Sequence, residues 1–220
     1  MPLVVGAIST AETLQALATT PELCDPCDVL ELRLDAIAQP LEETRAHASA
    51  LRLPLLMTAR HPEEGGQGNL NTQERAALLS AHLEQAALID VELRSALDMQ
   101  PLLSNARARG VGIIGSYHDF NATPSDDVLR GAIDFGLQLK ADAVKIATLL
   151  RSADDLARLL SLLSSEKRLP LSIMGMGALG PVSRLVLGRC GSILNYGYLG
   201  QSNAPGQWPA QRLKNLLNEL

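Results

Sequence analysis

Val29-Leu-Glu-Leu-Arg-Leu-Asp35 alternates apolar and charged residues with a period of two. That is the period of a β-strand, whose side chains point to opposite faces. Leu30, Leu32 and Leu34 suit a layer of covering helices, so Glu31, Arg33 and Asp35 must share the inner face. Buried charge is expensive unless it pairs or binds something. Two readings of that inner face stay open: a self-contained ion-pair network, and a lining for a polar ligand.

Outward from this stretch, short Val-, Ile- and Leu-rich runs alternate with longer amphipathic segments. Strands are expected at Leu3–Ser9, Val29–Asp35, Pro54–Arg60, Ala87–Leu93, Gly110–His118, Ala143–Thr148, Pro170–Met176 and Ser192–Tyr198. Helices are expected near 10–20, 40–52, 72–86, 96–109, 125–139, 152–165, 181–190 and 207–220. Thr10, Ser125 and Ser152 stand where N-caps belong, and Leu156, Leu159, Leu160 and Leu163 form a helical stripe. Eight βα units without a linker or a change of composition predict a single-domain (β/α)8 TIM barrel over 1–220. An open doubly wound sheet is the rival.

Composition narrows the function classes. With 46% hydrophobic residues among 220, the chain has ample core and is not disordered. A net charge of −5 without basic clusters argues against nucleic acid as a partner. Neither the apolar start, MPLVVGAIST, nor the uncharged run from Gly191 to Gln211 suits a leader or a membrane span, so a cytoplasmic protein is expected. Cys24 and Cys27 form a lone CxxC, which reads more readily as reduced thiols than as a zinc or redox site.

In a barrel of this kind, active sites gather at the C-terminal ends of the strands. Thr58 and Arg60 share an inner face there, while Asp90, Glu92 and Arg94 read as a supporting ion-pair set. Lys145 is the only one of four lysines inside a strand, in Ala143-Val-Lys-Ile-Ala147. Its apolar neighbours take the outer face, which turns the amine inward between two alanines that leave room for a ligand. A free lysine, with pKa ~10.4, is neutral in only about one molecule in 2,500 at pH 7. Desolvation and cations such as Arg33, Arg60 and Arg184 would expose it as a nucleophile, whereas pairing with Glu31 or Glu92 would make it structural.

His118 ends the neighbouring strand and suits a residue that takes and returns a proton; His61 is the competing base. The loop His61-Pro-Glu-Glu-Gly-Gly-Gln-Gly68 reads as a lid or a solvated connection. Gln201-Ser-Asn-Ala-Pro-Gly-Gln207 offers donors above the last strand, and Arg184 stands where barrels hold an anionic group. Gly175-Met-Gly-Ala-Leu-Gly180 matches a dinucleotide fingerprint, but no acid follows between Glu166 and Glu219 to hold a ribose.

These residues together resemble the type I 3-dehydroquinate dehydratases, Schiff-base lyases of the shikimate pathway. The resemblance rests on Glu31-Leu-Arg-Leu-Asp35, Thr58-Ala-Arg60, Glu64-Gly-Gly66, Ser116-Tyr-His-Asp-Phe120, Val144-Lys-Ile-Ala147, Met174-Gly-Met176, Ser183-Arg184 and Ala204-Pro-Gly-Gln207, in family order. It implies a (β/α)8 barrel that dehydrates 3-dehydroquinate, with Lys145 forming an iminium, His118 as general acid and base, and Glu64 orienting His118. It also implies Arg184, Asn203 and Gln207 at the substrate carboxylate, and Glu31, Arg33 and Arg60 at the ring hydroxyls. Met174, Met176 and Tyr196 would wall the pocket. No metal or organic cofactor is implied, and a homodimer is suggested. Three departures stand out: the family's usual N-terminal hairpin is missing, Asn203 replaces the usual serine, and Gly6 stands where a serine sometimes holds ligand. A class I aldolase or transaldolase and a non-catalytic ligand-binding barrel are the competing readings.

Overall fold

The computed structural model describes residues 1–202 and 204–220. Eight parallel strands run in the order β7-β6-β5-β4-β3-β2-β1-β8. They are β1 (Leu3–Ile8), β2 (Val29–Arg33), β3 (Leu55–Thr58), β4 (Leu88–Glu92), β5 (Gly112–Asp119), β6 (Ala143–Leu149), β7 (Leu171–Met176) and β8 (Leu194–Tyr198). Each is followed by a helix: α1 (Ala11–Thr19), α2 (Leu41–Ala50), α3 (Thr72–Ala81), α4 (Gln100–Ala108), α5 (Asp126–Gln138), α6 (Ala153–Ser165), α7 (Gly180–Arg189) and α8 (Ala210–Glu219). The seam between β7 and β8 is closed by Ile193 N donating to Leu171 O at 2.9 Å and Ser172 Oγ donating to Leu194 O at 3.0 Å. The arrangement is the expected (β/α)8 barrel rather than an open sheet.

Strand parity sorts the core into two shells. Outward residues such as Leu30, Leu32, Met57, Ile89 and Val91 pack beneath the helices with Leu14, Leu79 and Leu103. Val5, Val29, Leu56, Ile114, Ala147, Met174, Met176, Leu194 and Tyr196 face inward. The apolar floor of this interior gives way upward to Glu31, Thr58, Asp90, Ser116 and Lys145, all buried. Adjacent registers set that polar layer: Arg33 faces Thr58, Thr58 faces Asp90, Glu92 faces Ser116, and Ser116 faces Lys145.

The caps read from sequence are present. Thr10 accepts from Thr13 N, Ser125 from Val128 N, and Ser152 forms a capping box with Asp155. Most strand boundaries fall inside the expected runs, because polar or turn-forming ends leave the ladder early. The second strand stops at Arg33, two residues before Asp35. Short 3-10 turns at Pro21–Cys24, Pro62–Glu64 and Leu93–Ser95 were not visible in the pattern. Gly6 faces the outer shell, where an added Cβ would stand 2.4 Å from Cys27 Sγ and 2.6 Å from Leu199 Cδ1. It is glycine for close packing. Burial pushes Cys27 up to about 12, with Cys24 and Asp28 adding to the effect, so its thiolate is strongly disfavoured. No helix among the described residues is long and apolar enough to cross a membrane.

Candidate active site

A cavity of about 500 Å³, including its open mouth, lies at the C-terminal end of the barrel. Glu31, Arg33, Arg60, Glu64, His118, Lys145, Arg184 and Gln207 all line it, with Met174, Met176 and Tyr196. Strand-end parity brings most of them together: an inward residue near the end of any strand must face the barrel mouth. Asn203, also expected there, lies outside the described residues.

Lys145 is 5% exposed. Its Nζ donates to Asp90 Oδ2 at 3.0 Å, stands 3.7 Å from Glu31 Oε1, and lies 4.0 Å from the centroid of the Tyr196 ring. The closest charged neighbours of this amine are carboxylates, and one expected cation, Arg60, shares Asp90 Oδ2 with it. The Arg60 guanidinium holds both oxygens of Asp90 at 2.8 Å and Glu92 Oε1 at 2.8 Å. Burial alone would push the Asp90 carboxyl up, but Arg60 and Lys145 outweigh it and hold Asp90 well below the usual carboxylate range. Ser116 Oγ donates to Asp90 at 2.5 Å, and Thr58 Oγ1 donates to Glu31 at 2.9 Å.

Sequence reasoning grouped Asp90, Glu92 and Arg94 as one supporting set, and the third member is wrong. The 3-10 turn at Leu93–Ser95 breaks the period of two, so Arg94 swings to the rim and pairs with Glu63 at 2.6 Å, its side chain 48% exposed. Arg75 takes its place from α3. It is fully buried, bonding Glu92 Oε2 at 2.5 Å and Ser95 Oγ at 2.8 Å. The available signal was an arginine four residues before Leu79 in the helix's core-facing stripe. Asp90 does more than support the network, since it accepts from the Lys145 amine.

His118 stands on β5, its Cα registered against Ala147, one inward position above the Ser116–Lys145 pair. Its Nδ1 is 2.8 Å from Glu64 Oε2, and its backbone N donates to the same oxygen at 3.0 Å. Burial, then Arg60 and Lys145, pull the His118 imidazole well below its ordinary value. Burial and the nearby Glu92 carboxylate push Glu64 up to about 7. Both shifts disfavour the charged forms, so burial biases this hydrogen-bonded pair toward neutral imidazole and neutral carboxyl.

The loop that delivers Glu64 is pinned rather than merely solvated. Asp35 binds Arg33 at 3.0 and 2.7 Å and accepts from the backbone N of Arg60 at 3.0 Å and of Gln67 at 2.9 Å. Arg33 also donates to Gly65 O at 3.1 Å. Gly65 has φ +85° and would place a Cβ 2.6 Å from Phe120 Cζ, so both backbone and packing require glycine. His61 is not a competing base in this geometry: its Nδ1 accepts from Glu63 N at 3.1 Å, and it does not line the cavity.

Arg184, from α7, is 2% exposed and donates through Nη1 to Gly175 O at 2.9 Å. Its Nε has no partner, and no ion pair reaches it among the described residues. Burial lowers it to about 10, a cost that an anion would offset. The glycine run before it is explained by packing: an added Cβ on Gly175 would stand 2.2 Å from Leu150 Cδ1.

Comparison with known proteins agrees with this geometry. A sequence profile of the type I 3-dehydroquinase family matches residues 7–220. A 3-dehydroquinate dehydratase of Latilactobacillus sakei is 33% identical, covering 95% of this chain and 96% of that one. One from Methanothrix thermoacetophila is 36% identical over 88% of this chain and 82% of that one. Among solved structures, the 3-dehydroquinate dehydratase of Geobacillus kaustophilus superposes with a TM-score of 0.90 at 29% identity, covering 100% of this chain and 91% of that one.

Proposed function

The chain belongs to the type I 3-dehydroquinase family, and we propose that it dehydrates 3-dehydroquinate through an iminium on Lys145, with His118 moving the protons. The observation that carries this reading is the placement of Lys145 in the cavity, one inward step from the His118–Glu64 dyad. Arg184, short of a partner, supplies a buried cation in the same cavity.

Nζ of Lys145 adds to the C3 ketone, and water leaves as the iminium forms. His118 then takes one proton from C2, and the electron pair delocalises into the iminium. The hydroxyl at C1 departs as water, taking a proton from His118. Hydrolysis of the conjugated iminium returns the free amine and releases 3-dehydroshikimate. The net change is loss of one water. Asp90 faces the nitrogen throughout and stabilises its positive charge in the iminium as in the ammonium.

Arg184 and Gln207 bind the carboxylate, and Asn203 is assigned there with them. Glu31, Arg33 and Arg60 approach the ring hydroxyls. Glu64 keeps the His118 ring oriented through the contact at Nδ1.

Mixing the protein with 3-dehydroquinate and adding borohydride should leave a reduced adduct, located at Lys145 by mass spectrometry. Lys145→Met should form none and lose at least about 10⁴-fold in kcat, as removal of a covalent nucleophile does. Turnover without a trappable adduct would overturn the iminium route.

A further inference from the structure

Tyr196 occupies an inward position of β8 and is 3% exposed. Its ring face meets the Lys145 amine, as described above, but its hydroxyl is buried without a hydrogen-bond partner. Among the described residues lining the cavity, Arg184 is the one other side chain with such an atom. A hydroxyl withdrawn from water and left unpaired is destabilising, so folded proteins rarely tolerate one without a reason.

The electrostatic surroundings define what this hydroxyl can bind. Burial, then the carboxylates of Glu31 and Asp90, hold the Tyr196 phenol well above its ordinary value, so it stays protonated and can donate. Asp90 is occupied by Arg60, Ser116 and Lys145, whereas Glu31 accepts a side-chain hydrogen bond at Oε1 alone, from Thr58. A neutral hydroxyl on a ligand that accepts from Tyr196 and donates to Glu31 would complete both groups at once. A phosphate or second carboxylate would instead meet Glu31 and Asp90 as like charges.

We propose that Tyr196 is a specificity-determining residue, whose hydroxyl donates to a ring hydroxyl of the substrate held at Lys145 while its ring face positions the nitrogen. The inference rests on the iminium reading and deepens it. The ring serves ammonium and iminium alike, because both carry the charge that an aromatic face attracts. The hydroxyl serves selection: a site built to bond a hydroxyl rejects the analogue that lacks it.

Tyr196→Phe keeps the ring and removes the donor. Its KM for 3-dehydroquinate should rise about five- to ten-fold with kcat within about two-fold, as loss of one neutral hydrogen bond predicts. Tested on analogues lacking the C4 or the C5 hydroxyl, the variant should lose most of the wild-type preference for the complete substrate against one of them. The free variant should melt about 2–4 °C higher, because an unpaired buried hydroxyl is gone. Tyr196→Leu, which removes the ring too, should lower kcat and the yield of borohydride-trapped adduct.

A Tyr196→Phe enzyme with wild-type KM and unchanged preference against both analogues would overturn the assignment, even with adduct forming normally at Lys145. Absence of any adduct in the wild-type protein would instead overturn the iminium reading and this inference with it.

Discussion

The two halves of the barrel mouth treat buried polarity in opposite ways. From β2 to β5, nearly every charge is answered: Arg60 by Asp90 and Glu92, Glu92 again by Arg75, Arg33 by Asp35, and Glu31 by Thr58. From β6 to β8, the wall is Ala147, Met174 and Met176, with Arg184 Nε and the Tyr196 hydroxyl unpartnered. The first half is a largely paired network that holds shape. The second leaves those two buried polar atoms unanswered. Lys145 stands between them, salt-bridged to one half and facing the ring of the other. Buried charge alone therefore does not mark a binding site.

Three tests bear on that contrast, taken in descending size. Arg60→Met strips Asp90 and Glu92 of their shared cation and should destabilise the protein by about 3–5 kcal/mol. Urea unfolding measures this, and a loss below about 1 kcal/mol would mean that the first half is not a scaffold. Arg184→Met should do the opposite to the free protein, leaving it unchanged or about 1–2 kcal/mol more stable, because a buried cation lacking a counter-charge is removed. The same variant should raise KM about 10- to 100-fold, the cost of one charge-assisted contact to a carboxylate. Strong destabilisation of that variant would erase the distinction between the halves.

The smallest effect is a shift in pH dependence. Glu64 is held up to about 7 while His118 is pulled well below 6.5, so acid adds a proton to the pair and removes the form ready to act as a base. The acid limb of kcat/KM should therefore lie near pH 7. Glu64→Gln removes that titration, leaving the limb to His118 and moving it below 6.5. A limb that stays put would separate Glu64 from proton control and leave it a purely orienting role.

Much of this was legible in the chain. The alternation in Val29–Asp35 placed Glu31 and Arg33 inward, and the isolation of Lys145 among strand residues singled it out. His118 was reached from its place one strand earlier, and Glu64 only through family resemblance. Arg75 was missed because a helix carries it in from outside the sheet. Arg94 was misplaced because a 3-10 turn ended the strand period just before it. The exposed and buried roles of these two arginines are invisible to a local pattern.

The sequence by itself determined the barrel, the parity of each strand and therefore which side chains enter the mouth, since all three follow from local periodicity. Only the tertiary structure decided who pairs with whom across it. Asp90 reaches Lys145 from two strands away, Glu64 crosses from its loop to His118, and Tyr196 ends with a ring engaged and a hydroxyl unanswered. Such pairings depend on closure of the barrel, which brings together residues whose separation along the chain carries no information about their distance in space.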